Sequence, residues 1–109
     1  MIRVLIDYRD DDIVAFTVEG HAGYAQKGSD IYCAGVSAVA QTTLLGLLKQ
    51  LEQPPRYKVE QGCLLCQLPE NLSSQDRERA QTILTTMVLG LKAMEEAYGE
   101  YLKIELRRQ

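Results

Sequence analysis

A chain of 109 residues, 46% of them hydrophobic, suits one compact domain with one core, so residues 1–109 are expected to fold as a single unit. The formal charge of −3 comes without the clustered Lys and Arg that displace counterions from phosphates, which argues against nucleic acid as a direct ligand. No secretory leader and no apolar run of bilayer-spanning length is read, and the three cysteines are an odd count, so a cytoplasmic protein with reduced thiols and no membrane partner is expected.

Ile2, Val4, Ile6 and Tyr8 alternate with other residues and predict a first strand; after the acidic turn at 9–12, residues 13–19 are again β-branched and aromatic, which predicts a hairpin. The run GHAGYAQKGSD follows, and its glycines at 20, 23 and 28 predict a mobile loop. From Ile31 to about Leu51, Val36, Val39, Ala40, Thr43, Leu44, Leu47, Leu48 and Leu51 recur at spacings of three and four, the signature of a helix with one buried face, and Pro54-Pro55 ends it. Two short β-type runs, 56–61 and 63–68, meet at Gly62 as a second hairpin. Residues 75–98 carry Ala80, Ile83, Leu84, Met87, Val88, Leu91, Met94 and Tyr98 on one stripe, with Asp76 and Glu78 where the helix dipole favours negative charge; Gly99 terminates it. Tyr101, Leu102, Ile104 and Leu106 mark a last strand. The order β-β-α-β-β-α-β predicts a two-layer α+β sandwich, a mainly antiparallel sheet covered by two amphipathic helices.

The chemistry concentrates at the first helix. Cys33 falls in its first turn, where unpaired backbone N–H groups and the positive end of the dipole stabilise a thiolate, and the only histidine, His21, lies on the glycine-rich loop before it. An imidazole within reach takes the thiol proton and later protonates a leaving amine, the two transfers that amide cleavage requires. The N–H groups of Cys33 and Ala34 are candidate oxyanion donors, Ala34 and Gly35 keep the approach free of bulk, and the loop glycines, beginning with Gly20, would let His21 swing into reach.

Each of these residues also has a purely structural reading. Most cysteines are small buried hydrophobes, and a His and a Cys twelve positions apart match no general motif; their joint placement on a loop and a helix start favours chemistry. Asp30 reads first as the helix N-cap and second as a carboxylate supporting His21; Ser37, four residues beyond Cys33, either bonds the site or bonds back to the carbonyl of Cys33. The C-x-x-C pair Cys63 and Cys66 suggests metal or redox chemistry, but residues three apart on a strand face opposite ways and no second ligand pair exists. Arg107-Arg108 reads as a solvated tail.

The stretch GHAGYAQKGSDIYCAGVSAVAQT, with Gly20-His21-Ala22, then Asp30, Cys33-Ala34 and Val36-Ser37, resembles the signature of the ribosomal-processing cysteine protease family called Prp, and the element order is similar over essentially the whole chain. The resemblance implies an endopeptidase that removes the N-terminal extension of a large-subunit ribosomal protein, number twenty-seven in the bacterial series, and that forms homodimers. It implies Cys33 as nucleophile and His21 as base, with Asp30 and Ser37 in supporting positions; the Cys/His mechanism itself requires no cofactor or metal. Tyr32 stands where a small or β-branched residue is usual, and Gly35 where alanine is frequent; Tyr32 is expected to reshape the pocket. Two rival readings are a non-enzymatic ribosome-associated adaptor that binds a ribosomal protein tail, and a thiol redox or acyl-transfer enzyme in which Cys63 or Cys66 approaches Cys33 in space.

Overall fold

The structure, a computed structural model, describes residues 1–20 and 29–109. Its elements are β1 (Ile2–Arg9), β2 (Asp12–Glu19), α1 (Ser29–Gln50), β3 (Arg56–Glu60), β4 (Cys63–Gln67), α2 (Ser74–Tyr98) and β5 (Leu102–Arg108), the order read from the sequence. The five strands form one sheet in the order β3-β4-β2-β1-β5, antiparallel except that β5 lies parallel to β1. The parallel pair follows from connectivity: a whole helix separates β4 from β5, long enough to carry the chain across the sheet to its far edge.

Both helices cover one face. Ile2, Val4 and Ile6 of β1, Phe16 of β2, Leu64 and Cys66 of β4 and Leu102 of β5 meet Val36, Ala40, Leu44 and Leu47 of α1 and Ala80, Leu84, Met87 and Leu91 of α2 in a single core. The strand pleat sends every second residue there, so the other face carries ion pairs: Arg3 between Glu19 and Glu105, and Arg107 on Asp7. Arg107 and Arg108 belong to β5, with Arg107 bonded twice to Asp7 at 2.6 and 3.0 Å and Arg108 over the Tyr8 ring; both are solvated, as expected, but they are strand residues and not a tail.

Three polar side chains fasten α2. Asp76, 2% exposed, accepts the N–H groups of Glu52 and Gln53 just past α1; the Gln81 amide both donates to and accepts from the Ile13 backbone at 2.8 Å; and Glu95 accepts the Ile104 N–H at 2.7 Å. The sequence placed Asp76 in the first turn for its charge alone, whereas the fold uses it as a buried tether. One further expectation changes: the segment Ile31–Gln50 is long and apolar enough, at mean hydropathy 1.6, to meet a bilayer-spanning criterion of length and composition. Here one face of it, Val36, Ala40, Leu44 and Leu47, packs on the sheet, while Ile31 and Leu45 on the other side are exposed.

Candidate active site

The groove beside α1 is built from both halves of the chain. Its floor is Ile2, Val18, Ala40 and Leu64; one wall is the α1 flank Cys33, Ser37 and Gln41; the other is the β3–β4 turn, Val59 through Cys63, with Gly20 at the rim and a volume of about 300 Å³. Cys33, Ser37 and Gln41 share a wall because residues four apart on a helix stack on one side. The Gln41 side-chain amide donates to Ser37 Oγ at 2.8 Å, so the Ser37 hydroxyl is engaged along the helix flank. Gln41 escaped the sequence reading because a lone polar helical residue reads as solvated; its spacing of four from Ser37 and eight from Cys33 was the available signal.

Gly20 is fixed by backbone geometry. Its φ of +128° is a conformation L side chains rarely adopt, a Cβ there would lie 2.5 Å from the Met1 carbonyl oxygen, and its N–H donates to the Gly62 carbonyl at 3.1 Å. The chain thus leaves β2 pinned between the start of β1 and the β3–β4 turn, on the rim of the groove that holds Cys33. His21 and the loop that follows lie outside the described residues, as does the Asp30 side chain.

Several expectations are corrected. Since α1 begins at Ser29, Asp30 is its second residue and not its cap, and Cys33 is its fifth. The N–H groups of Cys33 and Ala34 then bond to the carbonyls four residues back, at Ser29 and Asp30, so they are not the orphan donors an oxyanion hole needs. Gly35 faces α2, where an added Cβ would sit 3.3 Å from the Met94 terminal methyl, so its small size serves helix packing and not access to the thiol. Tyr32 turns the same way, stacked on Tyr101 at 4.5 Å and tilted against Tyr98 at 4.6 Å, away from the groove it was expected to reshape.

The three thiols separate cleanly. Cys33 is half-buried on the groove wall, while Cys66 is 3% exposed in the core, where burial pushes its thiol up to about 12. Cys63 borders the groove, but the alternation that sends Leu64 and Cys66 inward turns its side chain to the opposite face of the sheet. All three thiols are free, and burial of Cys66 removes it as a resolving partner for Cys33. A larger cavity of about 710 Å³ lies elsewhere, lined by Asp7, Asp12, Arg56, Lys58, Gln67 and Arg77, and includes none of the groove's α1 residues.

Residues 1–103 match the family model described as cysteine protease Prp. The ribosomal processing cysteine protease Prp of Bacillus subtilis is 29% identical over 97 residues, 87% of each chain. The crystal structure of an essential ribosomal processing protease Prp from Staphylococcus aureus, in complex with a substrate peptide, superposes with a TM-score of 0.85 at 26% identity, covering 98% of this chain and 100% of that one. A Streptococcus mutans crystal structure at 20% identity, covering 100% and 99%, gives a TM-score of 0.87 and supports the fold alone. With the match extending over nearly the full length and the fold shared throughout, the chain belongs to the cysteine protease Prp family.

Proposed function

We propose that the protein removes an N-terminal extension from a ribosomal protein, number twenty-seven of the large subunit, with Cys33 as nucleophile and His21 as acid and base. The observation that carries this reading is the position of Cys33: it is the partly exposed thiol on the α1 flank of the groove, on the wall it shares with Ser37 and Gln41 and facing the β3–β4 turn. The names of the relatives supply the ribosomal class of substrate.

In this mechanism the Cys33 sulfur, its proton passed to His21, attacks the scissile carbonyl carbon. The C–N bond then breaks as the imidazolium returns the proton to the departing amine, leaving a thioester on Cys33. Water, deprotonated by the imidazole, releases the extension as a carboxylate. The helical start at Ser29 shapes this account, because the amides of Cys33 and Ala34 are already bonded along α1 and the oxyanion draws its donors from other groups. We also propose that the chain works in the cytoplasm as a homodimer, which sedimentation at micromolar concentration would check.

Incubating the protein with the extended ribosomal precursor tests the assignment. Cleavage is expected to fall by at least about 1,000-fold in Cys33→Ala, with the unfolding midpoint close to wild type. Cleavage that survives the substitution would remove Cys33 from the chemistry.

A further inference from the structure

Among the described residues, the antiparallel register of the second hairpin leaves one strand edge open beside the groove. Glu60 pairs with Cys63 across a two-residue turn, so those two residues exchange both backbone hydrogen bonds, and the alternation continues through Lys58 with Leu65 and Arg56 with Gln67. Tyr57 and Val59 are then the residues whose N–H and C=O point away from β4. β3 is the edge of the sheet, and among the described residues no backbone group pairs with that side.

The side chains of the same two residues are also unspent. Val59 sits opposite Leu64 and Tyr57 opposite Cys66, so both project on the helix-covered side, yet they remain 51% and 54% exposed because α1 does not reach over β3. Val59 lines the groove that contains Cys33, and Tyr57 extends the same row one step further along the edge. An open edge with two apolar side chains is a liability in solution unless something occupies it.

We propose that β3 is the docking edge for the substrate: an extended segment of the polypeptide adds as a sixth strand, bonding to the backbone of Tyr57 and Val59, with apolar side chains at alternate positions resting on those two and reaching into the groove. This rests on the protease reading above and specifies how that site holds its peptide. Continuity selects the occupant, since a strand laid along β3 passes Val59 in the same groove whose far wall carries Cys33. The backbone bonds fix the chain's register without regard to sequence, and alternate apolar positions supply selectivity, because a period of two places every second side chain on the groove side. Charged residues at those alternate positions would be driven against Val59, Val18 and Leu64 and are excluded.

The test uses a synthetic peptide spanning the extension and the first residues of the mature ribosomal protein. Singly N-methylated versions of it bind to the Cys33→Ala protein, and Val59→Pro is compared with its parent for cleavage. N-methylation is expected to weaken binding about tenfold or more at every second position along one stretch and less than about twofold between them. Val59→Pro, which removes an outward N–H and leaves the β4 ladder intact, is expected to raise KM about tenfold while iodoacetamide alkylates Cys33 at the wild-type rate. A peptide that is cleaved but shows no alternating pattern overturns the docking edge and leaves the protease reading standing. A peptide bound with the alternating pattern but left intact by the wild type supports the edge and sinks the assigned reaction. A peptide neither bound nor cut overturns both.

Discussion

The two ends of α1 are held by different forces. At the C-terminal end the buried Asp76 carboxylate receives the N–H groups of Glu52 at 3.1 Å and Gln53 at 3.0 Å, while Ser73 caps α2 through the Asp76 N–H, so the junction of the two helices is closed by charge-assisted bonds. At the N-terminal end the described contacts are aromatic and apolar, Tyr32 against Tyr98 and Tyr101 and Gly35 against Met94, and the polar bond there, Gln41 to Ser37, stays within the helix. The candidate nucleophile sits at the second end. Directional bonds locate the helix from behind, and the end that must receive a peptide is left with contacts that tolerate small displacements.

The sharpest way to break this contrast is to cut the tether. Asp76→Ala strands two backbone donors in a buried site, and bonds to a charged acceptor contribute roughly 1.5–3 kcal/mol each, so a loss of about 3 kcal/mol in unfolding free energy is expected from urea titration. Asp76→Asn keeps one acceptor and should lose less. At a temperature where the variant stays folded, peptide cleavage should remain within about twofold of wild type, because the tether lies at the opposite end of α1, roughly 25 Å along the helix from Cys33. A matching collapse of kcat would show that the two ends are mechanically one.

Gly20→Ala probes the opposite end. The added methyl meets the Met1 carbonyl oxygen at 2.5 Å, in a backbone region that disfavours L residues, and relief requires moving either the start of β1 or the exit from β2. Strain of this kind contributes about 2 kcal/mol, which the same titration would read. Unlike the Asp76 variants, this one should also raise KM several-fold, since Gly20 lies on the groove rim. A stability loss with unchanged KM would mean that the rim does not shape peptide binding.

These contrasts also show where sequence reasoning reached its limit. Period-two alternation in β1 and three-four spacing in α1 report burial directly, which is why the element order and most of the core could be read; Tyr98, the last position of the α2 stripe, is 43% exposed. The start of α1 could not, because Ser29 and Asp30 are good capping residues and stand before the first apolar position; the helix instead incorporates both, which moved Cys33 from the first turn to the second. The groove's second wall was hidden for another reason. Val59 and Gly62 lie more than 25 residues from Cys33, and only the pairing order, with β3 outermost, reveals that α1 stops short of covering them. Cys33 was selected for a place in the first turn and lies one turn further in, whereas Gly20 was selected for loop freedom and its requirement is a backbone contact with Met1.

The smallest expected effect concerns the thiol on the packed side. Cys66, 3% exposed among the core side chains, titrates near 12 in the folded chain and near 9.0 when exposed, because burial disfavours the thiolate. Below pH 9 both states keep the proton and the residue adds no pH dependence. Between 9 and 12 the unfolded chain gives up its proton first, so stability falls as pH rises, by about 1 kcal/mol from pH 9 to pH 10 and by at most about 1.4 kcal/mol for each later unit. Urea titrations at pH 8, 9 and 10 should show that increment in wild type and its absence in Cys66→Val, which keeps an apolar group of similar size in the core. Equal slopes in the two proteins would mean that water reaches Cys66 in the folded state, and the division between a sealed sheet interior and an accessible thiol on α1 would lose its chemical basis.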